Sequence, residues 1–179
     1  DLAQGQLALK RYEQVLTTTE WLLKQEPNNM RALQWRGTAY IGLNQYEQAS
    51  SILVPLASAH PNIADIQFNY GLLLYAQNDY QAALKQFNRT VTLRSNMAHA
   101  WYYLAQTQRH LSAFDTAIQS HLTVLSIAPS FSRAYVALVN AFVQQSDYDS
   151  ANRYLAHGLK NARDITALTD LKNQLKDNL

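Results

Sequence analysis

"NQYEQA", residues 44–49, is a polar hexamer that carries one tyrosine and ends on alanine. Near-copies return as "NDYQAA" at 78–83, "SAFDTA" at 112–117 and "SDYDSA" at 146–151, with a weaker one, "KRYEQV", at 10–15. The aromatic falls at Tyr12, Tyr46, Tyr80, Phe114 and Tyr148, always 34 residues apart. Three places on, a small residue keeps the same beat as Val15, Ala49, Ala83, Ala117 and Ala151. A fixed period of this length marks a chain of like units, each burying its apolar face only against its neighbours.

The unit reads as two helices. Gly37, Gly71, Ala105 and Val139 repeat at the same period, each within an apolar or aromatic stretch such as "ALQWRGTAY" (32–40) or "AWYYLAQ" (100–106). After each hexamer, apolar and small residues recur three and four apart, as in Ala83, Phe87 and Thr90 or Ala151, Leu155 and Gly158. That spacing defines one buried helical face. Between the two helices fall Asn44–Gln45, Asn78–Asp79, Ser112–Ala113 and Ser146–Asp147, residue types that favour turns and caps. Pro27, Pro61 and Pro129 end the second helix of their units, since proline cannot extend a helix and restricts the residue before it. Pro55 sits inside a second helix and removes the bond to the Ser51 carbonyl, so a kink is expected there.

Taken together, these positions resemble the tetratricopeptide repeat. One unit carries Leu33, Gly37, Tyr40, Tyr46, Ala49, Leu53 and Pro61; the next carries Tyr70, Gly71, Leu74, Tyr80, Ala83 and Phe87, with Ser95 in the proline slot. A third has Trp101, Leu104, Ala105, Phe114, Ala117 and Pro129, and a fourth Tyr135, Leu138, Phe142, Tyr148 and Ala151. The resemblance implies an all-α, right-handed superhelical solenoid forming a single array. Its expected parts are a partial repeat at 1–29, full repeats at 30–63, 64–97, 98–131 and 132–163, and a capping helix at 164–179. Asp164 should start that cap, with Ile165, Leu168, Leu171 and Leu175 facing inward. Three residues depart from the family pattern: Arg36 stands for a leucine, Gln108 for an aromatic and His121 for a bulky apolar residue.

Bulk properties exclude more than they assign. With 179 residues, 47% hydrophobic and 16% charged, the chain can fold and holds no disordered block. Its net charge of +2 demands neither nucleic acid nor an anionic membrane. No apolar run approaches a transmembrane length. The start at Asp1 without methionine reads as a processed product or excised piece. The absence of cysteine removes disulfides and thiolate chemistry. It fits a bacterial periplasmic protein slightly better than a cytoplasmic one, but composition leaves the localisation open.

Catalytic and metal signatures are missing. His99 and His110 share one expected helix but stand about 16 Å apart along its axis, and no histidine pair has metal-ligand spacing. There is no phosphate loop, nucleophile elbow or carboxylate pair, so neither an enzyme nor a cofactor is expected. Tyr46, Tyr80, Phe114, Tyr148 and Trp101 occupy family core slots and are expected to pack.

The resemblance places the concave lining on the first helix of each unit. Transferred residue by residue, the first complete unit supplies Arg31, Gln34, Trp35, Thr38 and Ile41. The second supplies Asp65, Phe68, Asn69, Leu72 and Tyr75, and the third His99, Tyr102, Tyr103, Gln106, Arg109 and His110. Arg133, Val136, Asn140 and Val143 come from the last. Asp65 is the only acid in these first helices, whereas Arg31, Arg109 and Arg133 are basic, so the lining should attract an acidic partner. The residues that define chaperone-binding clamps in this family do not recur; of Gln34, Thr38, Asn69, His99 and Tyr103, only Asn69 matches.

These features favour a non-catalytic scaffold that binds a peptide or protein segment, with homo-oligomers through the array ends a further option. The alternative is an accessory arm of a larger enzyme or export complex. Single-stranded RNA is disfavoured by the modest charge, and no small-molecule substrate is expected.

Overall fold

The computed structural model describes residues 2–175, and every regular element in that span is a helix. A short α1 (Leu2–Ala8) precedes α2 (Tyr12–Gln25), α3 (Met30–Gly42), α4 (Tyr46–Ala59), α5 (Ala64–Ala76) and α6 (Tyr80–Leu93). Then come α7 (Ala98–His110), α8 (Phe114–Ile127), α9 (Ser132–Gln144), α10 (Tyr148–Asn161) and α11 (Thr166–Leu175). They form two compact units, Asp1–Ser95 and Asn96–Leu179. Within each, consecutive helices pack as helix-turn-helix pairs, and α11 packs on both members of the last pair.

The repeating hexamer spans the turn and the first residues of the second helix. Its first residue (Lys10, Asn44, Asn78, Ser112 or Ser146) has a left-handed backbone, with φ between 55° and 63°. The next amide then reaches back to a carbonyl five residues earlier, as in Gln45 to Tyr40 and Asp79 to Leu74, both 2.9 Å. A left-handed residue with this 6→1 bond closes a helix while satisfying its last carbonyls. Asparagine tolerates the conformation best among non-glycine residues. At Asn44 and Asn78 it does more: its side-chain oxygen accepts a 2.8 Å bond from the hydroxyl of Tyr46 or Tyr80.

That bond revises the role of the repeating aromatic. It was expected to pack, and Tyr12 and Tyr46 do lie partly buried against core clusters, but Phe114 and Tyr148 are 41% and 40% exposed. The residue starts the second helix, and at Tyr46 its ring packs at the edge of the core while its hydroxyl braces the turn. The core belongs to the small residue three places later: Val15, Ala49, Ala83 and Ala151 are fully buried and Ala117 nearly so.

The other periodic positions set helix separation. A Cβ added at Gly37 would meet the Leu53 side chain at 2.6 Å, and one at Gly71 would meet Phe87 at 2.8 Å. Glycine there lets the helices of a pair approach until the large residue of the second lies on the backbone of the first. Helices α2, α4 and α8 end two residues before Pro27, Pro61 and Pro129. Pro55 does not end α4, which continues to Ala59. Near its end, the buried Gln67 of α5 donates to the carbonyls of Ala57 (2.9 Å) and His60 (3.1 Å), tying one pair to the next.

At the end of the second unit, Leu168 and Leu175 are buried and Leu171 is partly so. Asp164 accepts a bond from the Thr166 amide at 3.0 Å and starts the helix as expected. Ile165 departs from expectation: it precedes the helix and is 45% exposed. The part of the expected cap at 176–179 lies outside the described residues.

Candidate functional site

The first unit uses much of its expected lining for its own packing. Trp35 packs against the small core formed by Ala3, Val15 and Ala39, with the Arg31 guanidinium 5.9 Å from its ring. Phe68 meets Phe87 with ring centroids 6.0 Å apart, and Tyr75 meets Tyr80 edge-on at 5.4 Å. Between α3 and α5, Asn69 donates to the Gln34 side chain at 3.2 Å. Thr38 turns back to the Gln34 carbonyl at 2.9 Å, and Leu72 is partly buried. The acid of this face is also engaged: both oxygens of Asp65 accept 2.7 Å bonds from Arg94. This bidentate pair raises the Arg94 pKa through that hydrogen bond and cancels the one acidic charge on these first helices.

The second unit arranges its share differently. A cavity of about 640 Å³ opens there, within the range of ligand sites. Of the expected lining, it gathers Tyr102, Gln106, Arg109, Arg133, Val136 and Asn140. Tyr102 is the hub, with Tyr103 edge-on at 5.5 Å, Phe131 at 5.3 Å and His121 at 5.6 Å. Arg133 sits 5.8 Å above the same ring, a cation–π arrangement. Gln106 accepts from Arg109 at 3.2 Å. Neither Arg109 nor Arg133 forms an ion pair among the described residues, although Asp164 stands on the cavity's edge.

His99 and Tyr103 lie outside the cavity lining. His99 stacks edge-on against Phe131 at 5.2 Å; partial desolvation, then the charge of Arg133, lowers its pKa. His110 is lowered by the same two causes, with Arg109 as the charge.

Sequence reasoning missed the walls supplied by the second helix. Phe114, Ala117, Ile118 and His121 of α8 line the cavity, as do Ala137 and Ala141 of α9. His121 carried a signal, because it replaces a bulky apolar residue. It occupies the position held by Leu53, Phe87 and Leu155 in the other units, 34 residues apart. Like them it is buried, at 3% exposure, but its Nδ1 has no hydrogen-bond partner. Burial, and secondarily Arg109, lowers its pKa to about 4, so the ring is neutral near pH 7. The other departures are locally satisfied: Gln108 accepts from Ser120 at 2.8 Å, and Arg36 lies over Tyr40 at 5.9 Å.

The described residues hold no cluster of three His, Cys, Asp or Glu suited to a metal ion, and no described helix is long and apolar enough to cross a membrane. The site presents aromatic surface, guanidinium groups without carboxylate partners among the described residues, and side-chain amides.

Helix pairs of this geometry, repeated at this period, define a helical repeat protein. The chain belongs to the tetratricopeptide repeat family, whose model matches residues 36–98 and 73–130, together more than half its length. It is 23% identical over 117 residues to the peroxisomal targeting signal receptor of Candida albicans. That match involves 63% of this chain, and only 20% of the receptor's length. Among solved structures, it resembles a thermophilic TPR protein of Thermus thermophilus with a TM-score of 0.82 at 19% identity, covering 97% of this chain and 95% of that one. It also resembles YrrB, described as a TPR protein with an unusual peptide-binding site, with a TM-score of 0.69 at 17% identity over 96% and 88% of the two chains. At these identities the structural likeness establishes the fold.

Proposed function

We propose that this chain is a non-catalytic interaction scaffold that holds an acidic peptide or protein segment against its first-helix faces, chiefly in the second unit. The observation that carries the reading is the cavity beside Tyr102, with Arg109 and Arg133 lacking carboxylate partners. A planar guanidinium grips a carboxylate bidentately, and a ring such as Tyr102 contributes contact area at low entropic cost. Asp65, already neutralised by Arg94, does not oppose an acidic ligand in the first unit. Two similarities agree in kind: one relative is named a targeting signal receptor, and one structural neighbour is described as having a peptide-binding site.

Selection of random displayed peptides on the immobilised protein tests this. Asp and Glu should be enriched over Lys and Arg, and the double variant Arg109→Glu/Arg133→Glu should abolish that enrichment. Salt should weaken the retained peptides. Selection of basic sequences would overturn the proposal.

A further inference from the structure

The cavity has a structural origin. In the first unit, α3 and α5 pack directly, whereas α7 and α9 make far less contact. A shift of two repeats carries Asn69 to Ala137, the buried Leu73 to Ala141, and Leu53 to His121. Two truncated side chains on α9 and a polar one on α8 thus replace the residues that fill this space in the first unit. A void in a repeat's own packing forfeits dispersion contacts, and a buried polar atom without a partner calls for an explanation. Both defects occur in the cavity that Arg109 and Arg133, neither with a carboxylate partner among the described residues, also line.

We infer that this cavity is an anchor pocket, taking one bulky apolar side chain, best an aromatic one, from an acidic peptide whose carboxylates meet Arg109 and Arg133. The inference rests on the scaffold reading above and specifies the ligand. Ala137, Ala141 and Val136 give the pocket an apolar wall. A neutral His121 adds no charge against an inserted ring. At the rim, Asn140 and Gln144 lie four residues apart on the same face of α9, both exposed. Side-chain amides both donate and accept, as a peptide backbone requires. That favours a peptide over a free organic acid, which has no backbone to bond.

The test uses the whole chain and four probes, followed by calorimetric titration. Three are N-acetylated, C-amidated peptides: Asp-Glu-Phe-Glu-Asp, Asp-Glu-Ala-Glu-Asp and Lys-Lys-Phe-Lys-Lys. The fourth is 3-phenylpropionate. The acidic phenylalanine peptide should bind about tenfold more tightly than each of the others, the size of one buried anchor. Ala141→Leu, which restores the first unit's residue, should remove that advantage while leaving the helical circular-dichroism spectrum and melting temperature intact or higher. Equal binding of the two acidic peptides, or native affinity in Ala141→Leu, would overturn the anchor while leaving the acidic scaffold reading standing. Preference for the lysine peptide, or no binding by either acidic peptide, would overturn both. Phenylpropionate binding as tightly as the acidic phenylalanine peptide would make this a small-acid site and overturn the peptide assignment.

Discussion

Phe87 and His121 occupy the same place in adjacent repeats, and they do opposite things. Phe87 lies on the Gly71 backbone, is fully buried and touches Phe68, leaving no polar atom behind. His121 is almost as buried, yet its Nδ1 is unpartnered and a cavity lies beside it. Both repeats close their helix pair with the same left-handed turn, while the side chain in this slot differs. A repeat array can therefore keep its turns constant while filling the slot in one repeat and leaving space beside it in another.

The largest expected effect comes from emptying the filled slot. Phe87→Ala should cost about 3–5 kcal/mol in urea unfolding. His121→Ala should cost much less, because its surroundings are already open on one side; equal losses would erase the contrast between the two repeats.

Acid should reveal the second difference. The His121 pKa of about 4 lies below the usual 6.5, so from pH 6.5 down to 4 the unfolded chain takes up a proton that the folded chain refuses. Stability is thus fully present above that window and falls as the pH drops through it, by up to about 3 kcal/mol. Comparing unfolding at pH 7 and pH 4.5 should show a much smaller fall in His121→Leu than in the native chain. An undiminished fall in the variant would place the acid sensitivity elsewhere.

Overpacking should separate the repeats again. Ala83→Leu should cost about 1–3 kcal/mol by forcing the helices apart. Ala117 lines the cavity, so Ala117→Leu can lean into open space and should cost less. Identical melting shifts would mean that the cavity does not accommodate the added side chain.

The smallest effect concerns the turns. Ser112 and Ser146 hold the left-handed backbone without the tyrosine–asparagine bond seen at Asn44 and Asn78. Ser112→Gly removes a strain of about 1–2 kcal/mol but adds about 0.5–1 kcal/mol of chain entropy cost. The melt should register a net gain between zero and about 1.5 kcal/mol, and a loss would show that the serine is not strained.

The helix pairs were legible because period, proline and turn residues all report local geometry. The aromatic's packing was legible, but period shows only that Tyr46 recurs, and not that its hydroxyl also braces the preceding turn or that Phe114 and Tyr148 stay largely exposed. The candidate face was legible as a set of positions but not as a pocket. Trp35, Phe68 and Tyr75 pack within the first unit, while the walls of the cavity come from Ala137, Ala141 and α8. A void arises from side chains being small, and smallness in a sequence also describes the tight crossings at Ala49 and Ala83. His121 was the one residue whose chemistry contradicted its slot, and it marked the place.

Gln67 bears on how such a chain can be cut and recombined. Its amide reaches the carbonyls of Ala57 and His60, across the junction between two hairpins. A cassette that begins at α5 would carry this glutamine away from both acceptors and leave a buried amide unsatisfied, a cost of about 1–3 kcal/mol. One spanning α4 and α5 keeps the bonds. At this junction, the portable module is the second helix of one repeat with the first helix of the next.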